Sequence, residues 1–257
     1  MEQQAPRIIA VTNQKGGVGK TTTAINLAGG LALAGRETLL IDLDPQGNAT
    51  TGLGVDRAGV SRSIYDVLVR GSQLRDAVLE TLVPGLRVVP SEMDLVGAEI
   101  ELVTMSERES RLKHALAGLG AIDYVLLDCP PSLGLLTVNA LTAASTVLIP
   151  LQCEYYAMEG LAHLLRTVSV VKQRLNPALE IEGIVFTMYD ARTSLAAQVR
   201  QEVQEHLREK TLQTVIPRSV RLTEAPSHGR PIFLHDLRSP GSIAYLELTK
   251  EILTHGN

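Results

Sequence analysis

Short, continuously apolar runs alternate along the chain with longer stretches in which apolar residues recur every three or four positions. The short runs are residues 7–12 (RIIAVT), 38–42 (TLLID), 86–90, 124–128 (YVLLD), 146–150 (TVLIP), 181–188 and 211–216. Runs of this length, bounded by turn residues, predict buried strands. The longer stretches, 21–34, 95–103, 107–119, 135–143, 158–175, 195–207 and 241–253, carry helical periodicity. Gly35 follows the first of them, where a left-handed residue ends a helix. A strand that is apolar at every position has no solvent face, so both faces of its sheet must be covered. The pattern therefore predicts an α/β fold of the P-loop NTPase kind, a mostly parallel sheet with helices on both faces and right-handed crossovers. No repeat, low-complexity tract or linker divides the chain, so residues 1–257 read as a single domain. Ligands on such sheets bind at the C-terminal ends of the strands.

Composition adds bounds. The 257 residues are 45% apolar and 20% charged, the balance of a soluble globular protein. No apolar run is long enough to cross a bilayer. The N-terminus, Met1-Glu-Gln-Gln-Ala-Pro6, lacks the basic start and apolar stretch of a secretory leader. These readings place the protein in the cytoplasm. Cys129 and Cys153 are too few for a disulfide scaffold and lack metal-type spacing. The net charge of −4 opposes a protein coated in nucleic acid, but the charge is uneven. Between Arg208 and Arg238 six basic residues stand against three acidic ones.

The chemistry is concentrated after the first strand, in Asn13-Gln-Lys-Gly-Gly-Val-Gly-Lys-Thr-Thr22. A glycine-rich turn lets main-chain N–H groups converge on phosphate oxygens, and the helix that follows offers its positive end. In this setting Lys20 reaches the outer phosphates and the Thr21 hydroxyl ligates Mg²⁺. The loop departs from the general G-x-x-x-x-G-K-[ST] spacing, because Gln14 occupies the first glycine position and an extra lysine, Lys15, stands at the front. Two aspartates end later strands. Asp128 closes an apolar run, which suits a carboxylate acting on Mg²⁺ through water, and Asp44 lies on a loop where it can orient or deprotonate attacking water.

Lys15-Gly-Gly-Val-Gly-Lys-Thr-Thr22, Asp42-Leu-Asp-Pro-Gln-Gly-Asn48 and Asp128-Cys-Pro-Pro-Ser132 together resemble the deviant Walker A ATPases, and most closely the ParA/Soj-type partitioning proteins. The likeness continues through Gln152-Cys-Glu-Tyr-Tyr-Ala-Met-Glu-Gly160, Thr187-Met-Tyr-Asp-Ala-Arg-Thr193 and residues 216–229, so it covers nearly the whole chain. It implies an ATPase using ATP and Mg²⁺. ATP drives a face-to-face homodimer with the nucleotides sandwiched between the subunits. That dimer binds double-stranded DNA without sequence preference, and a ParB/Spo0J-type centromere-binding partner stimulates the hydrolysis that releases it. Carried over by position, Lys15, Gly16, Gly17, Val18, Gly19, Lys20, Thr21 and Thr22 form the phosphate site. Lys15 reaches the partner's phosphates, Thr21 and Asp128 serve the metal, and Asp44 is the catalytic carboxylate. Pro217, Arg218 and Ser219 line the adenine pocket, Ser219 standing where relatives often have Asn, and Met188 can pack on the base.

The resemblance also assigns Arg192 and Arg221 to DNA, in keeping with the basic excess of the C-terminal part. Only 3% of residues are aromatic, so stacking on single strands is not expected and phosphate contacts dominate. The few residues before the first strand leave no room for a helix-turn-helix extension. The expected location is cytoplasmic and nucleoid-associated. Three other readings of the same fold make different demands. A MinD-like membrane ATPase needs a basic amphipathic tail, but residues 245–257 hold one Lys against two Glu. An iron–sulfur reductase needs placed thiolates, for which Cys129 and Cys153 are the candidates. A dethiobiotin-type ligase needs a separate pocket for a small acid.

Overall fold

The computed structural model describes residues 5–255. Its strands are β1 (Arg7–Val11), β2 (Thr38–Asp42), β3 (Leu79–Glu80), β4 (Leu86–Val89), β5 (Tyr124–Asp128), β6 (Thr146–Gln152), β7 (Glu180–Tyr189) and β8 (Thr211–Pro217). They form one eight-stranded sheet in the order β3-β4-β2-β5-β1-β6-β7-β8. Every pairing is parallel except that of the two-residue β3 with β4. The helices are α1 (Lys20–Leu33), α2 (Asn48–Gly52), α3 (Ile64–Leu68), α4 (Leu95–Leu102), α5 (Arg111–Leu116), α6 (Leu135–Ala143), α7 (Ala157–Arg174), α8 (Ser194–Leu207), α9 (Val220–Glu224), α10 (Ile232–His235) and α11 (Pro240–His255). Residues 1–4, where the absence of a leader was read, and 256–257, the end of the expected tail, lie outside the described residues.

Side-chain alternation explains why the strands are apolar throughout. Val125 and Leu127 of β5 join a core shared with α3 to α8, while Tyr124 and Leu126 join a second core shared with α1 and α11. In β1, Ala10 faces the first core, and Ile9 and Val11 face the second. Each fully buried aliphatic side chain of this kind contributes about 1.5–3 kcal/mol relative to exposure. β1 lies between β5 and β6, with α1 on one face and α6 on the other. The loops leaving β1, β2 and β5 therefore open at the same end of the sheet.

Two differences from the sequence reading have local causes. The helix expected over 107–119 is confined to Arg111–Leu116, because Glu107 turns with φ 51° and Gly118 with φ 88°. Five short elements (α2, α3, α9, α10 and β3) went unread, each being too short to display a period. α3 did carry a signal in Ser63-Ile-Tyr-Asp66, whose ends form a reciprocal capping box.

Candidate nucleotide site

The chain leaves β1 through a turn that its own side chains hold open. Asn13 Nδ2 donates to the Pro150 carbonyl at 2.8 Å, and Asn13 Oδ1 accepts from the Lys15 amide at 3.1 Å. Gly17 (φ 74°) and Gly19 (φ 86°) are both left-handed, which a side chain disfavours by about 1–2 kcal/mol. Gly19 is the N-cap of α1 and offers no side chain to its first turn. The first main-chain bond into that helix is Thr23 N to Gly19 O at 2.9 Å, so the amides of Lys20, Thr21 and Thr22 are left to receive an anion.

Lys20 and three aspartates converge behind this turn. Lys20 is 7% exposed, and its Nζ donates to the Lys15 carbonyl at 3.0 Å. Burial pushes its pKa down, against the opposing pull of Asp128 first and Asp44 last. Asp42 and Asp128 are register partners on β2 and β5. Asp128 is fully buried, and neither carboxylate oxygen has a hydrogen-bonding partner. Burial and the neighbouring Asp42 hold its pKa well above the usual carboxylate range; the Thr21 hydroxyl beside it favours the charged form without closing a bond. A buried carboxylate with both oxygens orphaned is a site awaiting a cation. Two hard oxygens beside a threonine hydroxyl suit Mg²⁺, whose charge would restore the ionised form.

Asp42 is satisfied where Asp128 is not. It accepts from Thr50 N at 2.8 Å, Thr50 Oγ1 at 2.7 Å and Asp44 N at 3.1 Å. Burial still raises its pKa to about 6. Asp44 sits on the loop that Asp42 anchors, is 8% exposed, and accepts from the Gln46 amide at 3.0 Å. Arg57 braces the far side of that loop by donating to the carbonyls of Gln46 at 2.8 Å and Pro45 at 3.2 Å. The loop-fixing roles of Asp42 and Arg57 were not read from sequence. Asp42 could have been found from its place beside Asp44 at a strand end; Arg57 left no signal.

Beside Thr22 a cavity is lined by Gly19, Met188, Pro217, Arg218, Ser219 and Tyr245. The residues expected around adenine are thus brought together. Met188 reaches this place with a left-handed backbone (φ 48°), unusual for an unbranched non-glycine residue. Thr187 Oγ1 donates to Val18 O at 2.7 Å, which locks β7 to the phosphate loop. Lys15 is held within its own chain, in an ion pair with Glu154. The two arginines expected at DNA also have acidic neighbours. Arg192 forks onto Asp190 at 2.9 and 2.7 Å, and Arg221 pairs with Glu224 at 2.8 Å and lies 3.6 Å from Asp236. Both stay more than half exposed at their side chains.

Residues 6–181 match the family described as AAA domain. The sporulation initiation inhibitor protein Soj of Bacillus subtilis is 56% identical over 97% of this chain and 99% of its own length. The chromosome partitioning protein ParA of Caulobacter vibrioides is 53% identical over 96% of this chain and 94% of its own. The chain belongs to the ParA/Soj family of chromosome-partitioning ATPases. Among solved structures, one named cobyrinic acid a,c-diamide synthase from Mycobacterium smegmatis, with a bound ATP analogue and magnesium, superposes with a TM-score of 0.86. It is 41% identical and covers 98% of this chain and 96% of its own.

Of the three rival readings, the membrane and iron–sulfur ones find little in the structure to meet their demands. On α11 Tyr245, Leu248 and Ile252 are buried inside the protein, and Ile243 and Leu246 are its exposed large apolar residues. Among the described residues no helix is long and apolar enough to cross a membrane. Cys129 is 1% exposed and its thiol pKa is pushed up by burial first, while burial raises Cys153 to about 11. Neither is a poised thiolate.

Proposed function

We propose that this ParA/Soj protein works as one nucleotide-switched domain that hydrolyses MgATP to ADP and phosphate in the cytoplasm, on the nucleoid. The observation that carries the proposal is Asp128, buried with both oxygens unpartnered beside Thr21 and Lys20 at the open first turn of α1. The main-chain amides from Gly16 to Thr22, including Val18, hold the phosphates, and Lys20 supplies a cation that needs no desolvation when nucleotide arrives. Thr21 and Asp128 hold Mg²⁺, the latter through water. When bound, the metal neutralises charge on the terminal phosphates. Asp44 orients the attacking water from a loop fixed by Asp42 and Arg57. Pro217, Arg218 and Ser219, with Met188, enclose the adenine.

In the ATP state two copies meet face to face, and Lys15 exchanges Glu154 for the partner's phosphates. This pair is half exposed on both sides, and such pairs are worth about 0–1 kcal/mol, so the exchange costs little. The dimer binds duplex DNA through phosphates, with Arg192 and Arg221 among the contacts. A ParB/Spo0J-type partner stimulates hydrolysis, which removes the γ-phosphate that holds both loops and lets the dimer part. Gel filtration with and without ATP, on wild type and Asp44→Ala, tests this cycle. The variant is expected to accumulate as an ATP-bound dimer. A variant that binds ATP yet stays monomeric would overturn the sandwich.

A further inference from the structure

Gln14 stands where the general phosphate loop has its first glycine, so the turn carries a side chain that the motif does not ask for. That side chain is half-buried, and its Nε2 donates to the Gly160 carbonyl, in the first turn of α7, at 3.1 Å. Its two neighbours reach the same stretch of chain. Asn13 Nδ2 donates to Pro150 O on β6 at 2.8 Å, and Lys15 pairs with Glu154 between β6 and α7. Three successive side chains therefore tie the front of the loop to residues 150–160, across 137 to 146 positions of chain.

The three ties are not equivalent. The Asn13 bond is buried and uncharged. The Lys15–Glu154 pair is partly exposed on both sides, and it has to open if Lys15 turns to a partner's phosphates. The Gln14 bond involves neither lysine nor carboxylate, so that exchange leaves it in place. Gly160 gives it room, since a Cβ added there would stand only 3.4 Å from Gln14 Nε2. Within the loop, the Lys15 amide is held by Asn13 Oδ1 and the Lys15 carbonyl by Lys20 Nζ. Those two bonds shape the turn without fastening it to α7.

We infer that Gln14 is a positioning residue, which keeps the front of the phosphate loop seated on α7 while Lys15 exchanges Glu154 for the partner's phosphates. Without its amide, Asn13 is the one tie of the three that lasts through the exchange, and a loop left free to move loses more freedom when the second copy docks. The role rests on the sandwich dimer proposed above; the Gln14–Gly160 bond does not. A neutral hydrogen bond shifts an equilibrium by roughly threefold to tenfold. Each subunit supplies one, so the dimer feels the loss twice, about tenfold or more in all.

The test compares the full wild-type chain with Gln14→Met, which keeps the length of the side chain but has no donor, and with Gln14→Ala. Neither adds a charge that Lys15, Glu159 or His163, which line the same groove, would answer. Sedimentation with a non-hydrolysable MgATP analogue gives the dimer dissociation constant, and calorimetry with MgADP gives the affinity of the loop itself. Both variants are expected to bind MgADP within about twofold of wild type, yet to weaken the dimer about tenfold. The same loss is expected when Gln14→Met is made in a Glu154→Gln background, because the tie acts after Lys15 has left Glu154. An unchanged dimer constant in both variants overturns the role. So does an MgADP affinity that falls as far as the dimer constant, which makes Gln14 a prop of the phosphate loop alone. Disappearance of the effect in the Glu154→Gln background overturns it too, since Gln14 then acts only on the resting ion pair. If wild type binds the analogue without dimerising, or Lys15→Ala dimerises as tightly as wild type, the sandwich reading itself fails and takes this role with it.

Discussion

Asp128 and Asp42 form a pair of buried carboxyls whose proton affinity is raised by loss of water first, with Asp42 adding to it at Asp128 and Asp44 at Asp42. The direction fixes a pH dependence. Both bind protons more tightly in the folded chain than in the unfolded one, where an aspartate titrates near 3.9. The stability they contribute is complete below that value and is lost as pH rises through the folded value, about 6 for Asp42. Thermal melts of the nucleotide-free, metal-free protein should therefore show Tm falling between about pH 5 and pH 7. Saturating MgATP should flatten the trend, because a cation at Asp128 favours the charged form. A free-protein Tm that climbs over this interval contradicts the assignment. At the same residue, Asp128→Asn should raise the Tm of the free protein by roughly 2–4 °C, the change that about 1 kcal/mol produces in a chain of this size. It should also abolish magnesium-dependent phosphate release. Full turnover in that variant would remove Asp128 from the metal site.

Among the elements, the packing of α1 on α11 is the most exacting. Gly30 lies against Thr249 so closely that a Cβ would collide with the Thr249 hydroxyl, which itself donates to Tyr245 O at 2.7 Å. Gly30→Ala is expected to cost about 1–3 kcal/mol by overpacking. Adding Thr249→Ala should recover much of the loss. Urea titration of the two single variants and the double variant measures this, and purely additive losses would show that the two residues do not share the contact. β8 shows how an edge is managed. Glu251 of α11 accepts from the Gln213 and Thr214 amides at 2.8 and 3.1 Å, so two edge N–H groups are already occupied. Tertiary bonds hold elements that the sequence pattern missed or overran. α2, which it missed, is tied to Asp42 through Thr50, and α5, whose length it overran, is tied to α6 through Asn139, which accepts from the Leu112 amide at 3.1 Å. Five or six residues cannot show a 3.6-residue period convincingly, whereas the long helices and buried strands can.

The two arginines expected at DNA are already paired in the free chain. Arg192 and Arg221 each have a carboxylate in place in the free chain, so on the proposed function DNA would compete with Asp190, Glu224 and Asp236. Phosphate contacts of this kind weaken steeply with salt. Arg221→Glu should keep the ATP-dependent dimer but lower duplex affinity severalfold at about 100 mM salt, with a shallower dependence of affinity on salt. Anisotropy titrations over a salt series read both quantities. An unchanged isotherm would place the DNA surface elsewhere.

The alternation of strands and helices, the covered sheet and the phosphate loop could all be read along the chain, because each rests on neighbours in sequence. A strand buried on two sides must be apolar at every position, and a phosphate-binding turn needs its glycines, its lysine and the start of its helix in succession. Strand order has no such local mark. It alone set Asp42 beside Asp128, carried Met188 to Pro217, and let Thr187 hold Val18 across 169 positions of chain. The Lys15–Glu154 pair, the brace of Arg57 and the hold of Gln14 on Gly160 arise in the same way, since burial and partnership belong to whichever segments the sheet happens to bring side by side.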